Sequence, residues 1–230
     1  MIIAIHQPNY IPWLGYFYKI YKSDVFVFLD DVQFTKNSFQ NRNRIKTSQG
    51  LTWLTEPVLT KGKFGQLTNQ VRFNNNIPWK RKHMKTLEQW YKSSKYFDEY
   101  FPKLQNMYLE AESKEHTLVE FNIKLIKFIC EELGLNRRYE ISSELEVVGK
   151  STERLVNICR CLEGGTYLSG SGGGNYQDEA AFKDAGIELV YSDFHHPIYN
   201  QLWGEFVPNL SILDYLFNCG NNVFNFLLEK

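Results

Sequence analysis

The sequence predicts an α/β protein built on a doubly wound, mostly parallel sheet that carries an all-helical insertion. Three observations lead there. Short unbroken apolar runs alternate with stretches of helical period, the first run stops abruptly in a polar loop that leads into a helix and then a second run, and residues 78–133 read as helix throughout. Ile2-Ile3-Ala4-Ile5 is the first buried strand, and His6-Gln7-Pro8-Asn9 is the loop that ends it. Pro12 suits the first turn of a helix over 13–21, which Ser23-Asp24 breaks, and 25–29 is a second buried strand ending at Asp30-Asp31. Two such strands joined through a helix are parallel with a right-handed crossover, so the His6 and Asp30 loops leave from one carboxyl edge.

Residues 44–47 and 51–58 around Gln49-Gly50 read as a hairpin or a third strand, and 60–76 as a mobile loop or small hairpin. Three helices are expected over 78–92, 96–109 and 117–133, the last stopped by Gly134. The alternation then resumes: strand 138–142, helix 151–162, strand 166–169, a glycine loop, helix 178–185 and strand 187–191. Helices over 211–217 and 222–228 follow. A chain of 230 residues buries about 70–75% of its unfolded surface, so one core suffices. The reading is a single α/β domain over 1–230 with a helical insertion at about 78–133.

Composition narrows the function. Lys and Arg number 26 against 26 Asp and Glu. That balance lacks the basic excess from which duplex affinity arises, so nucleic acid is not expected as a partner. No apolar stretch approaches the length of a membrane span, and the first ten residues lack the features of a signal peptide. The expectation is a cytoplasmic protein with no membrane partner. Aromatic residues make up 16%, enough flat amphipathic surface for a lined pocket, an interface or an aromatic core. Cys130, Cys159, Cys161 and Cys219 fall in helical stretches and read as reduced, mostly buried thiols. The adjacent His195-His196 project to opposite faces of an extended segment, which disfavours a zinc site; no metal ligands are assigned, and the cofactor, a divalent metal and ATP included, stays open.

The richest local signal is the run from His6 to Tyr16, where Gln7, Asn9, Tyr10, Trp13 and Tyr16 gather at the end of the first strand between two prolines. His6 is the candidate proton acceptor, because the imidazole titrates near neutrality; the plain alternative is a bond to a loop carbonyl. Asp30 and Asp31, followed by Gln33, would hold a sugar hydroxyl, an amine or a magnesium ion, or else Asp30 caps a turn. Asn41, Arg42, Asn43 and Arg44 come next; the two arginines alternate along an extended segment and are expected to point oppositely, leaving one to face the site and bind phosphate or carboxylate, the plain alternative being surface ion pairs. Ser169-Gly170-Ser171-Gly172-Gly173, with Gly174 and Tyr176 beyond, follows a strand and precedes a helix, where bare amides bind an anion or simply make a flexible connection. Gly149-Lys150-Ser151-Thr152 mimics the end of a phosphate-binding loop, yet Glu144 occupies the first glycine position. It reads as a helix start capped by Ser151 or Thr152.

These residues resemble the WbqC-like family of bacterial proteins, often encoded among O-antigen and surface-polysaccharide genes. The resemblance rests on His6 through Tyr16, Asp30 through Gln33, Asn41-Arg42-Asn43, Tyr167-Leu168-Ser169-Gly170 and Pro208 through Asp214, and so spans nearly the whole chain. It implies a place near nucleotide-sugar or glycan biosynthesis. The opening also looks like that of Rossmann-like nucleotidylyltransferases, with Trp13 and Tyr16 standing where those enzymes carry two histidines; this puts adenylyl transfer in doubt. The resulting expectation is a transferase that acylates the amine of a nucleotide-linked amino sugar, with a small-molecule nucleotide sugar as partner. An ATP-dependent amide ligase is the alternative enzyme. A non-catalytic scaffold using the Trp203, Phe206 and Phe217 region is the alternative of another class, and a homodimer stays open.

Overall fold

The computed structural model describes residues 1–111, 117–175 and 177–222. The expected helix at 222–228 and the candidate site residue Tyr176 lie outside the described residues. Two compact units are threaded alternately along the chain: the first takes residues 1–8, 15–32 and 135–195, the second 9–14, 33–134 and 196 onward.

The first unit is the α/β unit. Its strands are β1 (Ile2–His6), β2 (Val25–Phe28), β5 (Arg138–Ile141), β6 (Thr166–Ser169) and β7 (Glu188–Tyr191). They form one sheet in the order β5-β2-β1-β6-β7, every pair parallel. The register aligns Ile3 with Val25 and with Tyr167. Counted within the sheet, that is third-second-first-fourth-fifth, the Rossmann-like doubly wound order, and progress reverses between β1 and β6. β1 and β2 are almost unbroken apolar runs because both faces are covered, whereas the outer strands β5 and β7 carry Arg138, Glu140 and Glu188. On one face Ile3, Ile5, Val25, Val27 and Tyr167 pack with Val156, Ile158 and Cys159 of α5 (Ser151–Cys161) and Phe182 of α6 (Glu179–Asp184). On the other, Tyr16 of α1 (Leu14–Lys22) lies 5.3 Å from the Phe26 ring, and Phe28 stacks on Tyr139 at 5.7 Å. Ser23 closes α1, its hydroxyl donating to the Ile20 carbonyl at 3.0 Å. Neither Ser151 nor Thr152 caps α5. Lys150 holds the cap position without a side-chain bond, while Thr152 Oγ1 accepts the Asp178 amide at 3.1 Å.

The second unit is helical around a two-stranded ribbon. β3 (Arg42–Thr47) and β4 (Gly50–Thr55) pair antiparallel, turned by Gly50 at φ +104°. The expected hairpin is therefore present. Residues 60–76 contain a single 3-10 turn, Thr68–Gln70, and isolated bridges Gln33 to Leu67 and Val58 to Phe73. The helices are α2 (Trp79–Tyr91), α3 (Phe97–Glu110), α4 (Leu118–Glu132) and α7 (Ile212–Cys219). Thr117 and Glu120 cap α4 reciprocally, and Gly134 at φ +68° follows its end. Phe121 of α4 meets the rings of Phe73, Trp79 and Tyr108 edge-on at 5.8, 5.6 and 5.2 Å. Phe217, offered by the sequence as partner surface, is fully buried among Tyr91 and Phe97, because the helical period turns it inward. Trp203 keeps 39% of its surface and packs on Trp90. All four cysteines are free; Cys130 and Cys159 are buried, Cys219 is half-buried and Cys161 is exposed.

Candidate functional site

In sheets of this order, ligands bind outside the strand carboxyl ends where the order reverses. The first unit has a cleft of about 370 Å³ at that edge. Ile5, His6 and Gln7 from the end of β1, Leu29 and Val32 after β2, and Tyr167 of β6 form one wall. Ser151, Thr152, Arg154 and Leu155 from the first turn of α5 form the other. The volume is at the small end of the roughly 300–1,000 Å³ range of small-molecule sites, right for a sugar-sized group. The amino end of α5 brings a partial positive charge to it. Ser151 sits there at φ +48°, a left-handed backbone that costs a non-glycine residue about 1–3 kcal/mol and tends to persist at functional sites.

His6 is a titratable side chain in that wall. Its Nδ1 lies 3.0 Å from the Gln7 carbonyl, and a carbonyl only accepts, so Nδ1 carries the hydrogen and Nε2 keeps its lone pair. The Tyr16 hydroxyl donates to the same carbonyl at 3.0 Å, and its ring stands edge-on to the imidazole at 4.8 Å. Burial, helped by the nearby Lys19 ammonium, pushes the His6 pKa down to about 3. Lys19, whose Nζ donates to the Ile5 carbonyl, is itself lowered by burial to about 7. The imidazole is thus neutral throughout the physiological range.

Asp30 and Asp31 leave β2 beside the cleft, but with their oxygens engaged. Asp30, 3% exposed, accepts from the Ser143 amide (3.0 Å) and the Ser143 hydroxyl (2.7 Å). The Ser142 hydroxyl lies 3.0 Å from Asp30 Oδ1 and 2.6 Å from Asp31 Oδ1. Asp31 also pairs with the Arg154 guanidinium, whose other nitrogen donates to the Val147 carbonyl at 2.6 Å. Asp31 therefore reaches the cleft wall through Arg154, while Asp30 ties the end of β2 to the segment after β5. Ser169 ends β6, Gly170 follows it, and Ser171, Gly172 and Gly173 lie in a 3-10 turn; none of them is among the residues lining the cleft. Gly173 lacks a side chain for steric reasons, since a Cβ there would fall 2.1 Å from Ser169 Oγ.

The other sequence candidates belong to the second unit. Tyr10 is fully buried, its hydroxyl 2.7 Å from His83 Nδ1 and 2.5 Å from the Tyr108 hydroxyl. Asn43, buried, donates to the Ile11 carbonyl at 2.8 Å and so holds a β-branched residue at φ +35°. Asn41 donates to the Glu56 carbonyl. Asn9 is buried, Trp13 half-buried and bridged to Ser211, and Gln33 exposed. Arg42 and Arg44 do not point oppositely. A strand has a period of two, so residues i and i+2 share a face, and both guanidiniums lie over the Trp53 ring at 4.1 and 5.5 Å. The sequence reading missed Arg154 and Leu155 and took Ser151 and Thr152 only as a helix start; the usable signal was that the helix starting at 151 leads into the strand across the reversal point.

The second unit also buries Glu56 completely, and burial raises its pKa well above the carboxylate value of 4.5, against the pull of the Lys80 ammonium and the Asn122 amide. An acid raised in the folded state binds more protons there than when unfolded, so stability falls as pH rises above 4.5. Glu56→Gln is therefore expected to raise the melting temperature at pH 8 and to leave it nearly unchanged at pH 4. Calorimetric melts at the two pH values check this; destabilisation at pH 8 would show an ionised Glu56 serving Lys80 instead.

Among the described residues no group of three or more His, Cys, Asp or Glu could hold a metal ion, and no helix is long and apolar enough to cross a membrane. The model of the WbqC-like protein family matches residues 7–225. The uncharacterized protein Rv1507c of Mycobacterium tuberculosis (strain ATCC 25618 / H37Rv) is 41% identical over 219 residues, which is 95% of this chain and 94% of that protein. No solved structure matches the chain.

Proposed function

This chain belongs to the WbqC-like protein family, and from that premise we propose that it is a transferase acting on a nucleotide-linked amino sugar in surface-polysaccharide synthesis, acylating the amine. The observation that carries the reading is the cleft at the reversal point of the sheet, where a neutral imidazole faces the first turn of α5. Membership of the family supports the pathway, and the cleft supports the chemistry.

In this reading the amine nitrogen attacks the carbonyl of an activated acyl donor, an N–C bond forms, and the bond to the leaving group breaks. His6 Nε2 takes the proton that the nitrogen sheds. A base whose pKa is held near 3 accepts a proton only from an acidic group, here the cationic nitrogen formed by the attack, and its imidazolium then passes the proton at once to the departing group. The amides at the start of α5 and Arg154, held in place by Asp31, favour the negative charge that grows on the carbonyl oxygen or is carried by phosphate.

The test is calorimetric titration of the purified protein with UDP- and dTDP-linked amino sugars, followed by mass spectrometry after incubation with acetyl-coenzyme A. Saturable heat with at least one sugar and a product heavier by the acyl group are expected. No heat with any of them, and no product, sinks the reading. Release of pyrophosphate from ATP with a free carboxylate and an amine would replace it with a ligase.

A further inference from the structure

The outer face of the β3–β4 ribbon, wholly within the second unit, has a composition that stability does not explain. The inner face is Asn43, Ile45 and Leu54, all buried. The outer face carries Arg42, Arg44 and Lys46 on β3, with Trp53 directly across from Arg44. Lys46 is used structurally, donating to Gln201 Oε1 and to the Gly204 and Glu205 carbonyls. Arg42 and Arg44 are not. Among the described residues neither guanidinium has a carboxylate or a hydrogen-bond acceptor, and the Nε of each is shielded from water without a partner.

Two like charges on one face of one strand repel, and an unpaired shielded donor is costly. What both do share is the Trp53 ring, 41% exposed, with Phe39, 44% exposed, tilted against it at 6.1 Å. Cation–π contact fixes the two forks without neutralising them. The surface therefore offers a pair of fixed, unneutralised guanidiniums beside an open aromatic ring. Fork geometry suits phosphate oxygens, and an exposed indole suits a base of any identity.

We propose that the outer face of the β3–β4 ribbon is a binding site for a nucleoside diphosphate, with Arg42 and Arg44 on the phosphates and Trp53 against the base. The site stands on the ribbon's own residues and does not depend on the transferase reading of the cleft. Calorimetry of the full chain with UDP, ADP, uridine and pyrophosphate tests it. UDP and ADP bind within a few-fold of one another, while uridine and pyrophosphate each bind at least about tenfold more weakly. The Arg42→Gln, Arg44→Gln double variant loses at least about tenfold in UDP affinity, and Trp53→Ala loses about 5- to 150-fold. Trp53→Phe keeps most of the affinity and shows that the ribbon still folds, and His6→Ala, in the other unit, leaves it unchanged. No UDP or ADP binding by the wild type, or full affinity in the double arginine variant, overturns the proposal. So does pyrophosphate binding as tightly as UDP with no dependence on Trp53, or capture of a sulfated dextran in place of the nucleotides.

Discussion

Phe121→Ala is expected to lower the melting temperature by about 6–20 °C. Phe121 has no exposed surface, and three aromatic rings meet it edge-on from Phe73, from Trp79 at the start of α2, and from Tyr108 of α3. Removing a buried Phe side chain costs about 3–5 kcal/mol, the transfer term plus the cavity it leaves. For a chain of this size each kcal/mol is worth about 2–4 °C. Collapse is resisted because the neighbours are themselves large rings, and because the Lys80 ammonium lies 5.7 Å from the Phe121 centroid and would be left facing a void. Phe121→Leu should lose less than half as much. Circular dichroism melts check both; a loss below about 1 kcal/mol for the alanine variant would show that α2, α3 and α4 are not held together through this residue.

The second large effect is on chemistry. His6→Ala is expected to lower kcat for the proposed transfer by about 100- to 10,000-fold, the usual worth of a positioned proton acceptor, with Kd for the sugar nucleotide changed by less than about threefold. Loss of affinity in step with turnover would make His6 a binding group instead. The pH profile separates the base from a merely structural residue. With the folded pKa pushed down to about 3, His6 is unprotonated at every working pH, so no loss of kcat attributable to it appears between pH 8 and pH 5.5. Stability carries the complementary signature. A base depressed in the folded state binds fewer protons there than when unfolded, so the wild type loses stability as pH falls from 6.5 towards 3. His6→Ala removes that loss, and its melting temperature should converge on or pass that of the wild type in this window.

The fold was legible because the first two strands of the parallel sheet, covered on both faces, are short and almost wholly apolar. Ile2 to Ile5 and Val25 to Phe28 could hardly be read otherwise, and their order of appearance dictates a parallel pair. His6 and Gln7 were legible for the same reason, as the first polar residues past a buried strand. What local pattern could not show is partnership at a distance. Asp30 is satisfied by Ser142 and Ser143, more than a hundred residues on, and Asp31 by Arg154, so two carboxylates that look free in sequence are mostly engaged in structure. Tyr10 and Asn43 looked like binding groups because they are polar and sit in a polar loop. Their partners His83, Tyr108 and Ile11 turn them into supports for that loop. The arginine pair was a matter of period: two residues apart on a strand means one face, and the shared Trp53 ring follows from that.

The threading of the chain also governs how it can be made. β1 is the middle strand of its sheet, yet one of its two neighbours, β6, begins at Thr166. At about 5–20 residues per second, a ribosome leaves one flank of β1 without its partner for roughly 8–30 seconds after the strand emerges. During that interval a fully apolar ribbon with open amides and carbonyls is available for wrong pairing. Truncated versions ending before residue 166 should therefore be aggregation-prone instead of partly active, and efficient production in a foreign host should depend on slow synthesis or on chaperones that occupy nascent strands.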